Sequence, residues 1–214
     1  MSIKSASTKG TSDSQELTAH CLETEKSPGE RFHHHLVAHS SGLYLYGGMD
    51  ENNSFIREMY RFTKGKEWEE VVIAEGNEEP PARYCHSMCL RSNAQLQRLV
   101  VHGGYTENTA TRDGTPKRLD DLWEFDISGR QWKKLPATGS PMPPPLTSHT
   151  LLYHDGTDTL LLFGGSDGSR YLNDVWQFTF SNNKWKRVKP KHNMVPIGRY
   201  GHSAVWKSSN EMVV

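Results

Sequence analysis

Residues 160–178 have the sequence LLLFGGSDGSRYLNDVWQF, and this stretch contains the pattern that decides the fold. An apolar run ends in the pair Gly164-Gly165, and an acid-x-aromatic-x-Phe motif from Asp174 to Phe178 follows it. A short continuous apolar run is typical of a strand buried on both faces, whereas alternating residues indicate a half-buried strand. The stretch therefore predicts two successive β-strands joined through a glycine turn.

The same pattern occurs three times along the chain. The landmarks are the glycine pairs Gly47-Gly48, Gly103-Gly104 and Gly164-Gly165, the aromatic residues Tyr60, Trp123 and Trp176, the tryptophans Trp68, Trp132 and Trp185, and the histidines His34, His86, His149 and His202 that precede apolar runs. Four landmarks in one order indicate an internal repeat. Turn residues between the aromatic motif and each tryptophan mark a hairpin, so each repeat is predicted to hold four short antiparallel strands.

These motifs resemble the kelch repeat, a four-stranded blade of a β-propeller. Arg199-Tyr200-Gly201-His202-Ser203 and Leu172–Phe178 are most similar to the subgroup found in leucine-zipper-like regulators, tip-elongation factors and Rab-effector kelch proteins. The resemblance covers the chain from about residue 30 onward. It implies an all-β, kelch-type propeller with three complete blades and the first strand of a fourth, incomplete or closed by another segment. Two positions depart from the pattern, namely Tyr60 in place of Trp and Leu146 in place of Arg.

The repeat spacing divides the chain into six predicted segments. They are a disordered Ser/Thr-rich tail (1–16), a closing outer strand with a linker (17–30), blade 1 (31–82), blade 2 (83–145), blade 3 (146–198) and the start of a truncated blade 4 (199–214). Leu17 stands in the slot that Trp132 and Trp185 hold, which suggests that Leu17–Thr24 closes the last blade. Propellers usually have four to eight blades. We therefore expect pairing with further blades or with another chain; a non-functional truncated product is the alternative.

Composition narrows the class of protein. The chain has 25 Lys and Arg against 25 Asp and Glu, so bulk positive charge does not hold it to nucleic acid. Its apolar runs are far shorter than the ~18 residues that cross a bilayer. The first residues lack the apolar core of a signal peptide. We expect a cytoplasmic protein that neither binds nucleic acid nor inserts into a membrane.

Cysteines and histidines offer two candidate metal sites. Cys21, Cys85 and Cys89 are expected to be reduced. We place Cys85 and Cys89 in one strand, where residues four apart share a face but lie roughly 13 Å apart, too far for a disulfide or a shared zinc. In a strand, the middle residue of His33-His34-His35 points away from its neighbours, so we interpret His34 as a packed repeat histidine. Neither group predicts a metal.

Catalytic motifs are equally weak. Gly164-Gly165-Ser166-Asp167-Gly168 matches a nucleophile elbow, which requires a following helix, but it aligns with the other glycine turns. Kelch propellers include copper oxidases and iron-dependent specifier proteins, yet the specifier pattern E-x3-D-x3-H is absent from this sequence. We therefore expect no catalytic, cofactor or metal site. The alternative is an enzyme or sensor that binds a small molecule or metal at the propeller axis.

Partner binding is the remaining hypothesis. In antiparallel blades, the loops between the second and third strands emerge on the same face as the segments that join blades. The second repeat carries an insertion there, Tyr105–Arg118, and arginines that often line the ligand mouth of kelch propellers precede the innermost strands. The predicted partner-contacting residues are Arg31, Arg83, Arg199, Tyr105, Arg112, Asp113, Lys117 and Arg118. The alternatives are a tolerated insertion and arginines that only pair with blade acids.

Charge is unevenly distributed along the repeats. Residues 67–79 contain six Glu and no base, and residues 184–191 contain the bases Lys184, Lys186, Arg187, Lys189 and Lys191 and no acid. Such patches steer a partner of complementary charge, or they are simply solvated outer strands. Together these features predict a non-enzymatic scaffold or adaptor for another protein. The resemblance suggests cytoskeletal, trafficking or ubiquitin-ligase assemblies.

Overall fold

The computed structural model describes residues 27–63, 65, 67–93, 95–110, 114–189, 196–209 and 211–214. The strands in this part of the chain are β1 (His35–His39), β2 (Gly42–Tyr46), β3 (Met59–Phe62), β4 (Trp68–Glu70), β5 (Ser87–Ser92), β6 (Gln97–His102), β7 (Tyr105–Thr106), β8 (Lys117–Arg118), β9 (Leu122–Asp126), β10 (Gln131–Lys134), β11 (Thr150–His154), β12 (Thr159–Phe163), β13 (Val175–Thr179), β14 (Lys184–Val188), β15 (Val205–Ser208) and β16 (Glu211–Val213). A short 3-10 turn at Asp155–Thr157 is the one helical element within these ranges.

Three antiparallel four-stranded sheets form the body of the molecule. Sheet 1 has the order β1-β2-β3-β4, sheet 2 has β5-β6-β9-β10 and sheet 3 has β11-β12-β13-β14. The hairpin β7–β8 lies in the β6–β9 loop, and β15–β16 forms a terminal hairpin. The predicted all-β, blade-like architecture is confirmed, and the fourth repeat extends one strand beyond the predicted first strand.

The second strand of each sheet is buried, as its apolar run predicts. Leu160 and Leu162 on β12 are fully buried, as are Leu99, Val100 and Val101 on β6. Each of these strands pairs with a neighbour on both edges, so its backbone groups are satisfied while its side chains fill the core on both faces.

The sheets meet through their innermost strands, because β5 lies against both β1 and β11. Aromatic residues fill the space between neighbouring sheets. The Tyr46 ring lies 5.1 Å from Trp132, and the His102 ring lies 5.5 Å from Trp185, as centroid distances. In both cases the last residue of a second strand contacts the repeat tryptophan of the next sheet. These large rings supply much of the apolar area that holds the sheets together.

A tight contact between glycine and histidine joins successive repeats. A Cβ atom added to Gly103 would lie 2.6 Å from the Leu146 carbonyl oxygen and 2.9 Å from Cε1 of His149. The same contact joins Gly47 to His86 and Gly164 to His202. We call it the glycine–histidine joint. It requires a residue without a side chain, because the backbone of the next repeat occupies the position of Cβ.

An ion cluster ties sheet 2 to sheet 3. Arg91 donates to both carboxylate oxygens of Asp158, at 2.8 and 2.6 Å, and to Glu124 at 2.6 Å. Its guanidinium also lies 3.6 Å from the centroid of Phe180. The corresponding link between sheets 1 and 2 is a single hydrogen bond of 3.0 Å from His39 to Gln97. The side-chain link between sheets 2 and 3 is therefore stronger than the one between sheets 1 and 2, since charge-assisted bidentate bonds are the stronger kind.

Two local predictions were wrong. Cys85 precedes β5 and has a φ of 54°, so it does not share a strand with Cys89, although both thiols are free. His33 has a φ of 57°, and β1 begins only at His35, so the three histidines do not alternate along a strand. His34 is exposed rather than packed.

Several predictions lie outside the described residues. The tail 1–16 and the closing strand Leu17–Thr24 are among them, so both stay predictions. Within the described ranges, no helix has the length and apolar character needed to span a bilayer.

Buried histidines occupy the spaces between sheets. Nδ1 of His102 and Nε2 of His149 share a hydrogen bond of 3.0 Å. Burial lowers the pKa of His102 to about 4, and it lowers the pKa values of His86 and His149 well below 6.5. These rings are therefore neutral in the folded protein at pH 7. His102 stands where the other two repeats have the aromatic residues Tyr46 and Phe163.

Replacing His102 with phenylalanine should make the fold less sensitive to acid. Because the unfolded chain binds a proton on this ring near pH 6.5 and the folded chain only near pH 4, stability falls as pH drops below about 6.5. H102F should therefore lose about 2 kcal/mol less free energy of unfolding between pH 8 and pH 5 than the original protein. Urea denaturation at both pH values measures this, and equal losses in the two proteins would contradict it.

Adding a methyl group at Gly103 should weaken the fold far more than adding one at Gly76. Both glycines have a positive φ, +66° and +77°, so alanine costs about 1 kcal/mol of backbone strain at either site. Nothing lies within 4 Å of a Cβ at Gly76, whereas Gly103 contacts the next repeat. G103A should cost at least about 2 kcal/mol more than G76A in urea denaturation. Equal costs would show that the joint tolerates a side chain.

Candidate interaction face

One end of the sheets carries both the long loops and the segments that join the sheets. Isolated antiparallel bridges connect the two at the same place in each repeat. They pair Phe32 with Met49, Tyr84 with Tyr105, and Thr147 with Ser166. The residue three positions before each innermost strand therefore lies beside the loop that follows the second strand. We call this surface the loop face.

Backbone hydrogen bonds between repeats hold the loop face in place. The second glycine of each pair donates to the next repeat, from Gly48 to the Arg83 carbonyl at 2.9 Å, from Gly104 to Leu146 at 2.8 Å and from Gly165 to Arg199 at 2.8 Å. The same main-chain bond recurs in each repeat, so these bonds form a uniform base beneath loops of different sequence.

A second series of backbone bonds runs along the inner rim of the loop face. The residues that precede the repeat histidines all have a left-handed conformation, with φ of 57° at His33, 54° at Cys85, 53° at Ser148 and 63° at Gly201. Cys85 donates to His33, Ser148 to Cys85 and Gly201 to Ser148, at 2.8–3.0 Å. Three of the four are not glycine, so the bonds compensate a conformation that side chains disfavour.

An aromatic cluster lies on the loop face of sheets 1 and 2. It consists of Phe32, His33, Phe55, Tyr84 and Tyr105. Tyr84 and Tyr105 are stacked with ring centroids 5.2 Å apart, Phe55 lies 5.2 Å from Tyr84, and His33 contacts both Phe32 and Tyr84. Phe32 is 42% exposed. Partly exposed rings grouped on a loop surface are typical of protein interfaces.

The two ends of the predicted insertion pair as β7 and β8, which brings three predicted residues together. Tyr105 lies on β7, and Lys117 and Arg118 lie on β8. The Arg118 guanidinium lies 5.8 Å from the centroid of Tyr105 and packs against the backbone at Gly168, in the corresponding loop of sheet 3. Lys117 is exposed. Arg112 and Asp113 lie outside the described residues, so their role stays a prediction.

The three predicted arginines have different surroundings. Arg83 is fully buried and donates to both carboxylate oxygens of Asp121, at 2.8 and 2.9 Å. A buried guanidinium presents no surface to a partner, and its contacts match the alternative that the arginine pairs with a blade acid. Arg31 is half-buried over the Tyr60 ring, at 5.2 Å from the centroid. Arg199 is partly exposed and donates to the Ile197 carbonyl at 3.3 Å.

The Asp121 carboxylate is the ion-pair partner of the buried Arg83. It also accepts a hydrogen bond from Nε1 of Trp123 at 2.7 Å. Burial alone would raise its pKa, but the bonds and charge of Arg83 outweigh burial and hold the pKa of Asp121 below 3.8. In sheet 3, Leu146 replaces the arginine, and the equivalent acid Asp174 pairs instead with Arg187 on β14.

The charged segments lie on the outer strands and beyond them. Glu69 on β4 pairs with Arg61 at 2.7 Å, and Glu67 and Glu70 beside it are exposed. The bases Lys184 and Lys186 on β14 are also exposed, and Lys191 lies outside the described residues. Acidic and basic surfaces therefore lie on different sheets, as the sequence indicates.

No group of three or more His, Cys, Asp or Glu side chains within the described ranges could share a metal ion. The arrangement on the loop face is thus one of stacked rings, guanidinium groups and main-chain bonds. Its chemistry is suited to holding another polypeptide.

Comparison with known proteins agrees with the geometry. The family model described as the KLHDC2/KLHL20/DRC7 Kelch-repeats domain matches residues 11–214. This chain belongs to the kelch-repeat family.

Its kelch repeats are similar to those of much longer proteins. It is 27% identical over 74% of its length to the leucine-zipper-like transcriptional regulator 1 homolog of Drosophila melanogaster, and 27% identical over 80% to host cell factor 2 of Homo sapiens. Leucine-zipper-like transcriptional regulator 1 of Pongo abelii is also 27% identical, over 78%. The chain spans only 15%, 22% and 18% of these three relatives.

Some residues of the kelch loop face carry little signal in the sequence. Phe55 and Tyr84 join the aromatic cluster, and Gly168 supports Arg118, yet none lies at a repeated landmark that singles it out. Tyr84 had one usable signal, because Phe32 and Tyr200 also stand between the arginine and the histidine of their repeats.

Removing the Arg83 side-chain charge should strongly destabilise the kelch fold. R83M leaves the buried Asp121 carboxylate without its partner, and breaking a buried pair costs about 3–5 kcal/mol. The matched control is R61M, which removes an exposed pair with Glu69 and should cost less than about 1 kcal/mol. Urea denaturation at pH 7 measures both variants. Equal costs would contradict a structural role for Arg83.

The Arg83–Asp121 pair stabilises the fold above about pH 4, and its contribution is lost as pH falls through the lowered pKa of Asp121.

Proposed function

We propose that this chain is a non-enzymatic protein-interaction module that binds a partner protein through its loop face. The observation that carries the proposal is the aromatic cluster on that face, together with Arg118 and Lys117 of the neighbouring hairpin. Its rings are held by stacking and by main-chain bridges, so binding would cost little additional ordering. The family and the regulator and host cell factor relatives support an interaction role.

The proposed partner-contacting residues are Arg31, Arg199, Tyr105, Arg112, Asp113, Lys117 and Arg118, with Arg83 acting from below as a structural residue. We further propose that the module works in the cytoplasm as a scaffold or adaptor, and that the sheets at its two ends pair with further blades or with another chain. Exposed apolar residues at those ends, such as Leu36 on β1 and Val205 on β15, support such pairing.

A photo-cross-linking amino acid at position 117 tests the proposed face. Lys117 is exposed on β8 and lies on the loop face, whereas Gln131 is exposed on the outer strand of the same sheet and serves as the control position. In cells, irradiation should produce a discrete cross-linked product from position 117 and none from position 131. Products from 131 alone, or from both sites equally, would contradict binding through the loop face.

The metal content of the protein tests the alternative function, an enzyme or sensor that binds a metal. Purified protein should contain no stoichiometric iron or copper by inductively coupled plasma mass spectrometry. One equivalent of either metal would favour the enzyme or sensor alternative.

A further inference from the structure

A cleft opens at the outer rim of the loop face of sheet 1. Its floor is apolar and includes the buried Met59 and Trp132, and the exposed Val72 forms one side. Three carboxylates, those of Glu58, Glu70 and Glu79, stand around it. The cleft thus combines an apolar base with an acidic mouth.

The equivalent positions of the other sheets show what this cleft lacks. The residue opposite the repeat aromatic, by Cα pairing, is Glu70 in sheet 1, Lys134 in sheet 2 and Arg187 in sheet 3. Only sheet 1 has an acid there. The acid immediately before the third strand is Glu58, Asp121 or Asp174. Sheet 1 therefore places an acid beside an acid, where the other sheets place a base beside an acid.

Each of the other two acids has a cationic partner within the chain. Asp174 forms an ion pair with Arg187 across sheet 3. Asp121 is held by Arg83, and the ammonium group of Lys134 lies 5.7 Å from the centroid of Trp123. In sheet 3, the position that corresponds to the cleft is therefore already occupied by a guanidinium of the protein itself, that of Arg187.

Sheet 1 has no such pair among the described residues. Glu58 and Glu70 both lie close enough to Tyr60 to raise the pKa of its phenol. Burial is the largest cause of this raised pKa, the charge of Glu70 contributes less, and the charge of Glu58 contributes least. Two bases are close. Arg57 lines the cleft, and Arg31 lies over Tyr60 but donates to the carbonyls of Gly47 and Pro28. Neither forms a side-chain ion pair with Glu58 or Glu70 in the described structure.

The strand beside the cleft also has a free edge. Within the described residues β4 pairs only with β3, so its outer edge has no strand partner among them. Such an edge accepts an extended segment by strand addition, in which main-chain bonds supply affinity and alternate side chains supply specificity.

We propose that this cleft binds a lysine or arginine side chain from an extended segment of a partner protein. The aliphatic stem of that side chain would cover Met59, Trp132 and Val72, and its charged end would pair with Glu58 and Glu70. Long basic side chains bury their stems and keep the charge at a polar mouth in this way. The inference rests on the proposed function and specifies the chemistry that the rim of the loop face selects.

The substitution E70R provides a sharp test, because it installs in sheet 1 the base that sheet 3 carries. The new guanidinium should pair with Glu58 and fill the cleft from within. The matched control is E75R, which makes the same charge change at an exposed acid of the same segment that does not line the cleft. Random seven-residue peptides displayed on phage are selected on the original protein.

The selected peptides should contain Lys or Arg flanked by apolar residues. In fluorescence anisotropy titrations they should bind E70R about tenfold more weakly than the original protein, and E75R within about twofold. Equal weakening by the two variants would assign the effect to bulk charge and overturn the cleft. A selection without basic residues would overturn it as well.

The proposed function fails in a different way. Peptides that are insensitive to E70R but lose binding in R118A would overturn the cleft and leave the loop face as the binding surface. Conversely, peptides that depend on Glu70, together with a failure to cross-link from position 117, would keep the cleft and overturn the wider loop face.

Discussion

The close approach of one repeat's backbone to the glycine pair of the preceding repeat is the constraint on which the structure depends. A carbonyl oxygen and a histidine ring occupy the position where the first glycine would carry a Cβ, and the second glycine donates its N–H to the same carbonyl oxygen. Neither contact survives the addition of a side chain without movement. Successive sheets are therefore set at a repeated geometry by the main chain, and the aromatic side chains fill the space that this geometry leaves.

This arrangement separates the scaffold from the surface. The loops that emerge beyond the glycines are of different length and composition, yet the main-chain bonds beneath them are the same in each repeat. Sheet 2 can therefore carry an additional hairpin, and sheet 1 can replace a base with Glu70, without a change in how the sheets pack. Binding chemistry is placed on rigid elements whose positions do not depend on it, which is typical of loops on repeat scaffolds.

The repeated landmarks predict the sheets well because they are local and periodic. An apolar run before a glycine pair and an aromatic-x-Phe strand after it require no knowledge of distant contacts, and β12 and β13 lie where these landmarks predict them. The burial of Arg83 was not predictable in the same way. Its environment depends on Asp121, far away in sequence, and an arginine before an innermost strand is compatible with both a surface and a buried role.

The left-handed backbone conformation of single residues could not be predicted from the sequence either. His33 and Cys85 look like strand residues by composition, but both adopt a left-handed backbone. Both lie in a chain of bonds between repeats, in which the His33 carbonyl accepts the Cys85 N–H and the Cys85 carbonyl accepts the Ser148 N–H. Such a choice is made by contacts between repeats and not by propensity. The acidic cleft was visible only in part, because Glu70 belongs to a run of acids in which nothing marks one residue as facing an apolar floor.

The Arg91 cluster has a consequence for how the molecule comes apart. In a linear array of units, cooperativity follows the strength of each neighbouring interface. One bidentate ion pair and a ring contact join sheets 2 and 3, whereas a single hydrogen bond from His39 to Gln97 serves the corresponding link between sheets 1 and 2. Sheets 2 and 3 should thus unfold together as one cooperative block. When a pulling force is applied at the amino end, sheet 1 should detach first. The β7–β8 hairpin should then remain packed against the loop of sheet 3.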